Sequence, residues 1–154
     1  MGLTMNMIRS LNKAVNDFAE KHHMEWCHVN GSSCAFLLKN KEDPVHQVLI
    51  RRVGEWLMVE TCLTYPIKPT LKNLRWMNRL NANLGNIRLV IDDYLKFTEI
   101  VKLGELDLSS NEEVEGLFLG GTFWMMFHGE AIGNFLLGKL TEEESFDAIV
   151  GKKV

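Results

Sequence analysis

No familiar catalytic pattern stands in this sequence. A GxSxG elbow, a P-loop, a Rossmann fingerprint and an HExxH helix are all missing from its 154 residues. No hydrolase nucleophile, phosphate cradle or paired zinc histidines is therefore written into a local motif. An excess of one charge is missing too. The formal net charge is −3, which gives no global field to recruit nucleic acid or an anionic membrane. Cysteine is sparse and odd in number, three in all, which points to a reducing compartment and not to a disulfide framework. The opening MGLTMNMIRSLNKAV shows no charged region ahead of an apolar core, and Asn6 suits myristoylation poorly. A cytoplasmic protein is expected. Internal repeats and long linkers are absent as well. With 46% hydrophobic and 24% charged residues, one domain over 1–154 is expected. A chain of this length buries roughly 70% of its unfolded surface.

What is present is a clear alternation of patterns. From Thr4 to His22, Met5, Ile8, Leu11, Val15, Phe18 and Ala19 recur every three or four residues, the stripe of an amphipathic helix. EWCHV and CAFLL then flank Asn30-Gly31, which suits a two-residue type I′ hairpin. VHQVLIRRV and WLMVETCL flank Gly54-Glu55, a type II′ signal that would pair Ile50 with Val59 and Val48 with Thr61. The opposite face would carry Leu49, Arg51, Trp56, Met58 and Glu60, a mixed surface. A second helix is expected from Ile67 to Leu84, with Pro66 and Pro69 at its start and Gly85 beyond its end. NIRLVI and YLKFTEIV around Asp92-Asp93 form another hairpin. Ser110 with Glu113, and Thr141 with Glu144, are capping boxes that open the last helices. The expected class is α+β, an antiparallel sheet of five to six strands with helices on one face, in the order α-β-β-β-β-α-β-β-α(-α).

Residues 116–138, GLFLGGTFWMMFHGEAIGNFLLG, pose the sharpest question. At about 1.5 Å per residue the segment is long enough to cross a bilayer. His128 and Glu130 near its middle, and few leucines, argue against that. As a water-surrounded helix, six glycines forfeit roughly 5–6 kcal/mol of propensity. Its aromatic, Met and Leu residues also fall around the whole circumference, so one sheet covers only part of them. A long helix packed on its own sheet and on a second subunit is expected, with glycine allowing close backbone approach. A break near Gly120-Gly121 or Gly129 would instead yield two ordinary helices.

Other clusters carry less. His22, His23, Cys27, His28 and Cys34 are zinc-type ligands, but the hairpin register sets Cys27 opposite Cys34 and turns His28 to the other face. No metal or cofactor is expected. Lys68, Lys72, Arg75 and Arg79 share a helix face, by default a solvated one, and Arg51 with Glu60 suggests a surface ion pair.

With these elements in place, LRWMNRLNANLGNIRLVIDDYLKFTEIV resembles the corresponding stretch of the YbjN family, proteins with a type III secretion chaperone-like fold. Met77, Asn78, Leu80, Asn81, Leu84, Val90, Ile91, Asp92 and Asp93 carry the likeness. The resemblance implies a dimerising α+β protomer that binds other proteins without hydrolysing anything. The density of glycine in the last long helix and the mild net charge depart from the family pattern, and bear on the effector-chaperone role more than on the fold. The expected function is a non-enzymatic homodimeric protein-interaction module, with contacts through Leu49, Trp56, Met58, Gly120, Trp124, Phe127 and Ala131. The alternative is a small-ligand or metal-binding domain, or an enzyme, with a pocket between helix and sheet around His128 and Glu130.

Overall fold

The computed structural model describes residues 5–31, 35–43, 46–92 and 94–151, with backbone alone at 62–66 and 92. Helix α1 (Met5–Lys21) leads into strands β1 (Met24–His28), β2 (Ala35–Asn40), β3 (Gln47–Val53) and β4 (Trp56–Pro66). Helix α2 (Leu71–Asn81) precedes β5 (Ile87–Asp92) and β6 (Tyr94–Lys102), and α3 (Asn111–Phe118), α4 (Gly120–Leu136) and α5 (Glu142–Val150) follow. The six strands form one open antiparallel sheet in the order β1-β2-β3-β4-β6-β5. The chain is therefore α+β, as its patterning predicts.

The β3–β4 hairpin follows its turn chemistry. Gly54 alone takes positive φ (60°), and Ile50 pairs with Val59 and Val48 with Thr61 as expected. The β1–β2 connection corrects the first hairpin. Asn30 and Gly31 do adopt positive φ, 50° and 73°, but within a tight turn over Val29–Gly31 that is not the closing turn of a two-residue hairpin. His28 pairs with Phe36 and Cys27 with Leu37, so the loop is longer than two residues. Cys27 is therefore not opposite Cys34, which lies outside the described residues, as does Asp93 of the expected acidic turn.

Local caps set the helix ends. The side chain of Thr70 accepts from Asn73 N–H at 3.2 Å, so α2 begins at Leu71 and not at Ile67, and the two prolines lie ahead of it. Thr141 and Glu144 form the full capping box of α5. Ser110 caps α3, but Glu113 reaches back to Asp107 N–H (2.6 Å) instead of closing its box. Asn81 has a different task. Its amide donates to Leu89 carbonyl (3.0 Å) and accepts from Leu89 N–H (2.7 Å), closing part of the free edge of β5.

All five helices pack on one side of the sheet, in two core clusters. Leu11, Val15 and Phe18 of α1 and Leu117 and Phe118 of α3 cover Phe36, Leu38, Ile50, Leu57 and Val59. Trp76 and Leu80 of α2, Ile132 and Phe135 of α4, and Phe146 and Ile149 of α5 cover Leu89, Leu95 and Phe97. Trp76 stacks on Phe135 at 4.7 Å and donates to Ser145 at 3.2 Å, which satisfies two buried polar groups at once. Lys68, ahead of α2, and Lys72 and Arg75 on it are exposed, as expected of a solvated face, and Arg79 is half-buried. Arg79 bridges Glu142 (3.3 Å) and Glu143 (2.7 Å) and lies over Phe146, while Lys72 lies over Phe135.

Candidate functional site

The other side of the sheet has no helix over it among the described residues. Strand alternation puts Leu37, Leu49, Met58 and Ile100 there, all half-buried, beside Trp56 (49% exposed) and Val53 (54%). Leu49, Trp56 and Met58 thus lie together on one surface, joined by Leu37, Ile100 and Val53, which sequence reasoning did not single out. Their signal was available, since each sits two residues or one register step from a chosen neighbour. Lys39, Arg51, Arg88, Lys96 and Lys102 share this face by register with Glu25, Glu60 and Asp92. It is a mildly basic apolar surface on an acidic chain. Arg51 and Glu60 form no ion pair with one another among the described contacts.

The glycine-rich segment resolves into two helices that meet at Leu119 (φ −96°, ψ −5°), with Gly116 in the first. The second runs unbroken through Gly129 and Gly133. Gly120 and Gly121 serve close approach, but to the protein's own sheet. A Cβ on Gly120 would lie 2.9 Å from Glu99 Oε2, and one on Gly121 would lie 2.7 Å from Thr61 Cβ and 2.8 Å from Phe97. Of the expected α4 contacts, Gly120 is half-buried beside the Glu99 side chain. Trp124 is half-buried against Phe97 (5.3 Å) and His128 (4.8 Å), and Ala131 is half-buried. Phe127 is 83% exposed. The bare flank of α4 consists of Phe123 (49%), Met126 (75%), Phe127 and Leu137 (71%), opposite the buried Gly121, Ile132 and Phe135. Gly129 and Gly133 have open space where a Cβ would project. The helical wheel contained this flank, and only the orientation of the wheel on the sheet was missing.

His128 and Glu130 do not converge. His128 packs beside Trp124, where burial lowers its pKa, and Glu130 is exposed on the opposite side of α4. A cleft between helix and sheet exists elsewhere. It holds about 510 Å³ between α3 and the end of β6, lined by Trp56, Asn86, Glu99, Lys102, Glu105 and Glu113. Burial pushes the Glu99 carboxyl above its usual range, opposed by a hydrogen bond from Asn86. A second groove of about 560 Å³ lies between α1 and α3, where Lys21 and His22 meet Glu115 and hold its pKa low.

The zinc-type residues are dispersed. His22 contacts Glu115, His28 packs on Phe36 (4.8 Å), and Cys27 is exposed on the open sheet face. Among the described residues no three His, Cys, Asp or Glu side chains cluster for a metal ion. No described helix is long and apolar enough to cross a membrane. No protein-family model matches the chain, and no curated protein matches it.

Proposed function

We propose that the chain is a non-enzymatic, homodimeric protein-interaction module of the cytoplasm, chaperone-like or regulatory in the manner of the YbjN-like proteins it resembles. It holds segments of partner proteins against its open sheet face. The observation that carries this reading is a six-stranded sheet layered with helices on one side only, whose other side presents Trp56, Met58, Leu49, Leu37 and Ile100. An adaptable Met and aromatic surface interleaved with long basic side chains suits extended, sequence-varied segments.

The test is binding of a permanently unfolded polypeptide, followed by the amide and Trp56 indole resonances. Perturbation confined to β3, β4 and β6, and weakened by Leu49→Asp with Trp56→Asp, supports the reading. Absence of any perturbation there refutes it. A ligand-binding or enzymatic reading draws on a single observation, the desolvated Glu99 carboxylate in the cleft beside α3. Perturbation by small molecules at that cleft, with none on the sheet, would favour it.

A further inference from the structure

We infer that the second copy of the homodimer docks on the bare flank of α4, the two helices packing antiparallel about a twofold axis beside Glu130. This inference rests on the homodimeric reading above and names the surface that makes the dimer. Phe123, Met126 and Phe127 stand out from α4 and Leu137 from its C-cap, and the helix contains no lysine or arginine and has its single carboxylate mid-flank. Scattered exposed apolar residues are ordinary, but a contiguous row along one helix is not. A lipid surface is a poor occupant, because interfacial helices carry a basic rim and this one carries Glu130 at its centre.

The spacing about residue 130 singles out a second copy. Phe127 and Gly133 lie three residues to either side of it, and Phe123 and Leu137 lie seven to either side. An isologous contact requires that residue i meet j while j meets i. An axis at 130 does this twice over. Each Phe127 ring projects onto the Gly133 of the other copy, where nothing lies within 4 Å of an added Cβ, and each Phe123 meets the opposing Leu137. Met126 lies over the other copy's Asn134, a contact its flexible thioether tolerates. A client helix would need no such symmetry of large and small residues.

The area is adequate. From the exposures given, the four apolar side chains offer on the order of 500 Å² per protomer, so about 1,000 Å² for the pair, near the threshold of a specific interface. The two Glu130 carboxylates face each other at the axis and oppose association, which makes this a dimer of moderate affinity.

Sedimentation of the full chain, with cross-linking, tests the inference. Phe127→Asp is expected to weaken dimerisation at least about 100-fold. Gly133→Leu fills the socket and is expected to weaken it about tenfold while leaving the protomer folded, a result that a purely structural role for Gly133 would not produce. Glu130→Gln is expected to tighten it several-fold. Glu130→Cys, in a Cys27→Ser background, is expected to give a bismaleimide product that peptide mapping assigns to 130–130. If dimers form but persist in Phe127→Asp with no 130–130 product, the α4 contact is wrong and the homodimeric reading survives. Capture of a different protein by α4 with the wild type monomeric overturns the inference. A wild type that stays monomeric at the highest soluble concentration, with no such capture, sinks both.

Discussion

Helices α1 and α4 are each 17 residues long and lie on the same side of the sheet, yet they use their apolar residues in opposite ways. In α1 the buried positions Leu11, Ala14, Val15, Phe18 and Ala19 form one stripe, and Lys13, Asn16, Asp17 and Glu20 are given to water. In α4 the buried set is only Gly121, Ile132 and Phe135, and the far side carries Phe123, Met126 and Phe127. A helix whose greasy residues are used up in its own core says nothing about partners. A helix that keeps as many outside as inside has a surface for which its own fold has no use, and that surplus is where function is to be sought.

The largest effects separate the two helices. Phe18 is buried edge-to-face on Phe118 (5.1 Å) and beside His22 (4.5 Å). Phe18→Ala is expected to cost about 3–5 kcal/mol of unfolding free energy, read by chemical denaturation. Phe127→Ser removes a ring of the same size from a position 83% exposed. It is expected to change protomer stability by less than about 0.5 kcal/mol while clearly weakening self-association. Equal losses at the two sites would erase the distinction between core and surplus surface.

A smaller effect divides α4 within itself. Gly121→Ala drives a Cβ into Thr61 and Phe97, and its expected cost is about 1–3 kcal/mol despite the better helix propensity of alanine. Gly133→Ala meets nothing, so the protomer should gain up to about 1 kcal/mol. Thermal melts of the two variants therefore move in opposite directions. A shared direction would mean that the close approach of α4 to the sheet is not what glycine serves at 121.

Most of the architecture was legible because its signals are local. The α1 stripe, the Gly54-Glu55 turn and the Thr141–Glu144 box each depend on residues within one turn of one another, whereas α2 ends at Asn81, ahead of the expected stop at Gly85. What was not legible depends on contacts distant in sequence. Asn30-Gly31 adopted the expected dihedrals yet did not set the β1–β2 register, because the pairing of Cys27 with Leu37 is decided by packing of Trp26 and His28 on Phe36. The interaction candidates on the sheet came out together, since strand alternation fixes faces. Those on α4 came out split, because a helix apolar all round offers no clue to which side meets the sheet. Gly120 suggested an approach to another chain, whereas the approach is to Glu99 of the same one.

The smallest expected effect concerns that carboxylate, which with the buried Thr61 sets the helix-covered side of the sheet apart from a purely apolar core. Burial raises the Glu99 pKa in the folded protein above its unfolded value. The stability associated with such a group is complete below the unfolded pKa and is lost as pH rises through the folded one, because folding then holds a charged carboxylate in a poorly solvated place. Glu99→Gln removes that cost and retains an oxygen to accept from Asn86. The variant is therefore expected to be slightly more stable than wild type at neutral pH, with the difference fading as pH falls through the carboxylate range. Denaturation midpoints measured across that range read the trend directly. A variant less stable at neutral pH would mean that the charge itself is favourable in the cleft beside α3. The ligand-binding reading would then displace the view of that cleft as a by-product of packing.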